Sequence, residues 1–190
     1  MIRLPPPFGL AAAFRRFVRC EDGGGGVIEF AIMLPMFMFI FMAGAEGGIY
    51  TTRMILLDRA VDLTMRELGL GQLPNATHEM IKTEICDNVP SLPNCDANIR
   101  VELLPISTTT WNLPTGDTTC IDRDAAVQPA LSFNPGGANE LMLVRVCVVQ
   151  DAMFPGTGIG KGMEEADTLA AHTQEGYRII SISAFVNEPA

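Results

Sequence analysis

Basic residues are scarce: 13 Lys and Arg stand against 22 Asp and Glu, for a formal net charge of -9. That balance excludes nucleic acid as a partner, because neutralising phosphates needs clustered Lys and Arg, and no such cluster occurs beyond the N-terminus. Histidine is nearly missing. His78 and His172 are the only two, and neither lies in a His-x-x-His or His-Glu-x-x-His spacing, which argues against a metal centre. The absence of Cys-x-x-Cys makes a redox motif or zinc knuckle unexpected, and no Gly-x-Ser-x-Gly marks a serine nucleophile. Gly156-Thr-Gly-Ile-Gly160-Lys161-Gly162 looks like a phosphate loop only superficially. Pro155 stands where the first Gly of that loop is required, and Gly162 follows Lys161 where Ser or Thr must meet magnesium. Glu164, Glu165 and Asp167 lack the alternating ligands of a calcium loop and read as a solvated helix face. The expectation is a chain with no cofactor and no metal that is not an enzyme.

What the sequence does have is apolar content gathered in one place. Of its 190 residues 48% are hydrophobic, yet Val27 to Met42 holds Glu29 as its only charge. As a helix, Val27 to Ala45 extends about 28 Å, close to the hydrocarbon thickness of a bilayer, so one span fits. Arg3, Arg15, Arg16 and Arg19 precede it and the acidity follows it. The positive-inside rule then puts the N-terminus in the cytoplasm and the remainder outside. Cysteine usage agrees: Cys86, Cys95, Cys120 and Cys147 fall on the outer side, where disulfides persist, and the fifth, Cys20, falls before the span.

These boundaries divide the chain into a cytoplasmic leader, 1–24, a transmembrane segment, 25–48, and an outer domain, 49–190. The leader opens with Met1-Ile-Arg-Leu-Pro-Pro-Pro7, which cannot be helical, and its Phe8 to Val18 stretch is too short to span. Taken alone it reads as a disordered cytoplasmic tail. Glu21-Asp22 and four glycines then form a flexible break that a protease can bind extended. Next comes Val27-Ile28-Glu29-Phe30-Ala31-Ile32-Met33-Leu34-Pro35, with a carboxylate inside the run that enters lipid. Insertion scales place Asp at mid-membrane about 2.5–3.5 kcal/mol uphill, with less near the edge. Judged only by position, Glu29 snorkels to the headgroups. Pro35 is expected to bend the helix and Gly44, Gly47 and Gly48 to loosen it, with Glu46 facing water at the interface.

Gly24-Gly25-Gly26-Val27-Ile28-Glu29-Phe30, behind Arg-rich sequence and ahead of an apolar helix, resembles the processing motif of Flp-type prepilins. The Val27 to Pro35 run, and the closing Phe185-Val186-Asn187-Glu188-Pro189, are similar to TadE-like and TadG-like pseudopilins of the tight-adherence pilus. The resemblance touches both ends of the chain and leaves about Leu70 to Thr173 matched only in general pattern. It implies that a membrane prepilin peptidase cuts between Gly24 and Gly25, leaving Glu29 as fifth residue of the mature chain. Four consecutive glycines allow the cut to slip by one residue, and the Glu29 offset selects Gly24. It further implies partners: the peptidase, the inner membrane, and other pilin and pseudopilin subunits met through the first helix.

Beyond the membrane, Met54, Leu57, Val61, Met65 and Leu68 recur at three- and four-residue spacing, so Tyr50 to Leu68 is predicted to continue as an amphipathic helix. Arg53, Asp58, Arg59, Asp62 and Arg66 take its other faces, and Gly69 and Gly71 end it. Asn75 is expected to cap a second helix over Ala76 to Asn88, stopped by Pro90 and Pro93. Ile99 to Leu103, Leu141 to Val149 and Tyr177 to Val186 alternate as strands, and Ser107 to Thr119 reads as a polar loop around Trp111. Ile180, Ile182 and Ala184 alternate there with Ser181 and Ser183. Four outer cysteines permit three pairings. The favoured one joins Cys86 to Cys95 and Cys120 to Cys147, each bridge worth roughly 3 to 4 kcal/mol in the chain-entropy treatment. The fold class expected is α+β: a long N-terminal helix, stem below and core above, packed pilin-like on an antiparallel sheet and stapled by disulfides. The function expected is a minor pilin or pseudopilin in assembly of a Flp-type pilus after leader cleavage. The alternative is an uncleaved, signal-anchored periplasmic binding or scaffold protein of the cell envelope.

Overall fold

A computed structural model describes residues 24–73, 75–114, 116–123, 125, 128, 130–155, 162 and 176–188. Its elements run in the order α1 Gly24–Gly69, α2 His78–Asp87, α3 Cys95–Asn98, β1 Ile99–Ile106, β2 Leu141–Gln150 and β3 Tyr177–Val186. The chain divides into two compact units, residues 1–42 and 43–190. Residues 1–23 of the leader, Cys20 among them, lie outside the described residues.

α1 is the longest element, at 46 residues, and Pro35 lies inside it. It does not loosen at Gly44, Gly47 and Gly48. The Thr51 and Thr52 hydroxyls donate to the carbonyls of Gly47 and Gly48, one turn back, at 2.8 Å each, which ties that stretch to the next turn. Within the second unit the buried face runs through Ala43, Glu46, Arg53, Leu57, Ala60, Val61, Thr64, Met65 and Leu68. Steps of three, four and seven residues keep these on one side of a 3.6-residue helix. Two expected positions change: Met54 is 38% exposed, and Arg53, placed outward by its charge, is buried. The helix ends by its glycines. Gly71 adopts φ +70° and its amide reaches the Leu68 carbonyl while that of Gln72 reaches Glu67, both at 3.0 Å, a left-handed cap that only glycine adopts cheaply. A Cβ on Gly69 would stand 3.2 Å from the Phe185 ring and 3.3 Å from the Val186 carbonyl, so its bareness lets the end of β3 approach.

α2 begins later than expected. Thr77, not Asn75, is its N-cap: the hydroxyl accepts from the Met80 amide, whereas Asn75 sits at φ 56° in the turn before it. A β-region cap residue can aim its side chain at the first turn, and a left-handed one cannot. Ile81 and Ile85 are its buried side, and the Cys86–Cys95 bridge joins its last turn to α3.

The three strands form one antiparallel sheet in the order β1-β2-β3. β1 extends three residues past its predicted end and includes Pro105. Pro is tolerated there because β1 is an edge, whose outer side among the described residues meets a single parallel bridge between Leu103 and Phe133. Register sets the faces. Val101, Val146 and Ser181 stand abreast, as do Leu103, Val144 and Ser183. Ile99, Val101, Leu103, Met142, Val144, Val146, Val148, Tyr177 and Ile179 pack in one cluster with Leu57, Val61, Met65, Ile81 and Ile85 from the helices. β3 therefore turns Ser181 and Ser183 toward α1 together with Tyr177 and Ile179, and Ile180 and Ile182 away. Ser181 is buried, the Ser183 hydroxyl donates to Asp62 at 2.8 Å, and Ile182 is 61% exposed. β2 is buried on both faces, since Cys147 and Val149 form a second cluster with Cys120 behind the sheet, which is why it reads as a nearly continuous apolar run.

Leu57 lies fully buried between helix and sheet. Leu57→Ala is expected to cost about 2–5 kcal/mol of stability, read as a lower urea midpoint in detergent solution, while Leu63→Ala, at an exposed position, shifts it by less than about 0.5 kcal/mol. Equal shifts would mean that the assigned face of α1 is wrong.

Candidate functional site

In the first unit, every large apolar side chain from Val27 to Phe41 is between 41% and 69% exposed. Mean hydropathy reaches 2.1 over an 18-residue window, with none of it buried. A helix that is apolar all round and covered by none of the described residues needs lipid or other helices as its solvent. Among the described residues α1 is the one helix long and apolar enough to cross a membrane. Glu29 lies exposed near its start, the single ionisable group of the run. Gly24 and Gly25 belong to the first turn of α1, so the helix starts within the glycine run rather than after it. Helix ends fray by a residue or two, and glycine holds them weakly.

The second carboxylate corrects the sequence reading. Glu46 does not face water: it is wholly buried, and its two oxygens accept from the amides of Met153 at 3.1 Å and Phe154 at 2.8 Å. A desolvated carboxylate persists only when hydrogen bonds replace its water, and each oxygen here has one backbone donor. Two turns on, the Arg53 guanidinium donates to the Tyr177 hydroxyl at 2.6 Å and to the Asp151 carbonyl at 3.4 Å. Tyr50 packs edge-on against Tyr177, ring centroids 5.4 Å apart. Burial pushes the Tyr177 hydroxyl above its ordinary pKa, opposed by Arg53. Glu46 and Arg53, seven residues apart and in line with Leu57, carry a signal that was available: two charges on the stripe that faces the core.

Behind the sheet, Glu102 and Arg145 stand opposite each other in the β1–β2 register. Both are buried, and Arg145 bonds one Glu102 oxygen through Nε and Nη2 at 3.0 and 2.6 Å. The same guanidinium donates to the carbonyls of Gly116 at 2.8 Å and Asp117 at 3.2 Å. Just beyond, Cys120 is bridged to Cys147. These contacts draw residues 116–120 across the back of the sheet, beside a groove of about 570 Å³ lined by Leu113, Leu143, Arg145, Arg178, Ile180 and Ile182. Arg123 ties the same segment to the end of β2, bonding Asn98, the Val149 carbonyl and the Asp151 carboxylate.

The remaining candidates scatter. His172, the acidic trio at 164, 165 and 167, and Gly156 to Lys161 of the phosphate-loop lookalike lie outside the described residues. His78 opens α2, its Nδ1 3.2 Å from Glu79 and its ring edge-on to Phe133. Burial holds its pKa below the usual 6.5, against the pull of Glu79. Among the described residues no group of three or more His, Cys, Asp or Glu is placed to hold a metal.

Residues 24–66 match the family model described as TadE-like protein, the family whose opening segment this sequence resembles. The match covers less than a quarter of the chain's 190 residues: the exposed run with Glu29, and the helix face bearing Glu46 and Arg53. No curated protein and no solved structure matches the chain.

Two outcomes follow. Glu46→Ala leaves two part-buried amides without their acceptor, at a cost on the order of 1–3 kcal/mol, and hydrogen exchange at Met153 and Phe154 is expected to accelerate more than elsewhere; unchanged exchange there would refute the assigned role. For His78 the sign follows from its depressed pKa. The fold favours neutral imidazole, so that contribution is present above pH 6.5 and is lost as pH falls below it. Urea midpoints taken from pH 7.5 down to 5 should therefore fall less steeply in His78→Gln than in the parent.

Proposed function

We propose that this chain is a minor pilin or pseudopilin of the tight-adherence pilus, a non-enzymatic subunit anchored in the bacterial inner membrane by α1 with its second unit in the periplasm. The carrying observation is the match of residues 24–66 to the TadE-like family, a segment that holds a lone carboxylate at Glu29 in an otherwise uncharged, fully exposed apolar run. Association with the tight-adherence pilus is what that family implies. The finer reading is that a prepilin peptidase removes the leader between Gly24 and Gly25. The new amine at Gly25 is then positive at the membrane edge, where an unpaired charge is costly, and Glu29 of a neighbouring subunit neutralises it as first helices pack side by side. The arginines at positions 3, 15, 16 and 19 favour a cytoplasmic N-terminus. The bridges Cys86–Cys95 and Cys120–Cys147 suit an oxidising periplasm.

A second reading draws on the groove behind the sheet: an uncleaved, anchored protein whose outer domain holds a ligand or an envelope partner. The N-terminus separates the two. Mass spectrometry of protein extracted from membranes is expected to find a chain beginning at Gly25 when the host peptidase is present and at Met1 when it is deleted. Glu29→Gln should abolish cleavage or incorporation into pili. An intact Met1 in peptidase-positive, piliated cells would exclude the pseudopilin reading.

A further inference from the structure

The carboxylate of Glu46 does more than satisfy itself: it fixes the backbone of the loop that leaves β2. Both amides it holds, those of Met153 and Phe154, belong to the stretch Ala152-Met153-Phe154-Pro155, which is uncharged. Met153 is 54% exposed and Pro155 is exposed, while Phe154 is half-buried. The neighbouring charge, Asp151, is taken up by Arg123. The loop therefore presents an apolar tip whose backbone is already bonded, and partition of such a tip into a membrane interface exposes no unpaired amide at these two positions. Its place is set by the chain. Glu46 follows Met42, the last residue of the apolar run, by four residues, and four residues reach at most about 14 Å however they run. The headgroup layer outside the hydrocarbon is itself about 5–7 Å deep on each side. The Glu46 backbone, and so the point where the loop is tied, therefore lies within about 14 Å of the hydrocarbon edge.

We propose that Ala152 to Pro155 is a membrane-contact element, with the Met153 side chain seated among the phospholipid headgroups and upper acyl chains of the leaflet that α1 enters on the periplasmic side. The proposal rests on the reading that α1 spans the bilayer. It assigns Glu46 a positioning role: the carboxylate holds the loop at the depth where its apolar tip meets lipid.

The test uses the full chain in vesicles of phosphatidylethanolamine and phosphatidylglycerol, with part of the lipid brominated near the headgroup end of its acyl chains. Trp111, the only tryptophan, is changed to Phe, and one protein then carries Met153→Trp while a second carries Phe37→Trp. Retention of both disulfides checks folding. The tryptophan at position 153 is expected to lose most of its emission in brominated vesicles, and the further change Glu46→Ala is expected to restore much of it. The parent protein's Trp111 should be indifferent to the lipid. A tryptophan at position 153 that ignores brominated lipid while the one at position 37 is quenched would overturn the contact and leave the span standing. If neither is quenched, both the contact and the spanning reading fall.

Discussion

Burial of one face of α1 from Ala43 to Leu68 is the constraint on which the second unit depends. A small sheet is stable only with its hydrophobic face covered, and here that inner face is completed by Leu57, Ala60, Val61, Met65 and Leu68 of the helix. Each fully buried side chain of that size is worth about 1.5–3 kcal/mol as area removed from water, so the helix face outweighs any single contact within the sheet. α2 fills the remaining flank with Ile81 and Ile85. Leu57, Ala60, Val61 and Met65, which fall within the family match, thus supply much of the core against which the unmatched strands settle.

The polar members of that face answer a different need. A purely apolar stripe would leave the helix free to slide or rotate against the sheet, because apolar contact has no direction. Glu46 bonded to two amides, Arg53 to the Tyr177 hydroxyl and Asp62 to Ser183 tie three points along α1 to the loop after β2, the start of β3 and its middle. Removing Arg53 or Glu46 strands buried or half-buried groups at a cost above the bond's net worth, whereas the exposed Asp62–Ser183 bond adds chiefly direction. Together these bonds specify one register of helix on sheet.

Most of the architecture was legible before any coordinates. The apolar run, the stripe from Leu57 to Leu68 and the three strands followed from periodicity, and β3 begins and ends at its predicted residues. What escaped was whatever a long-range partner decides. Glu46 and Arg53 were assigned to water because charged groups usually are, and only the distant amides of residues 153 and 154 and the hydroxyl of Tyr177 make their burial tolerable. The faces of β3 were illegible for a related reason. Ile180, Ile182 and Ala184 are the more apolar set, yet pairing Ile179 with Val148 turns Ser181 and Ser183 inward, and Asp62 supplies the acceptor that Ser183 needs. Asn75 was the expected cap by residue type, and Thr77 takes the role instead. The backbone of the preceding turn chose between them.

The back of the sheet raises the problem that the inner face does not: no helix among the described elements covers it. β2 nonetheless carries Arg145, Cys147 and Val149 on that side, all buried. Among the described residues, covering them falls to 113–114 and 116–120, which have no regular structure and little apolar bulk and which burial alone would hold weakly. The bonds there are accordingly strong or covalent. The Cys120–Cys147 bridge removes loop freedom from the unfolded chain, and Arg145 binds two carbonyls of the segment while neutralised by Glu102. The ion pair by itself promises little stability, since desolvating both charges offsets their attraction. Its geometric effect is larger: a guanidinium fixed by a carboxylate across the strand is a rigid donor, and it holds the one wall of the groove that secondary structure does not.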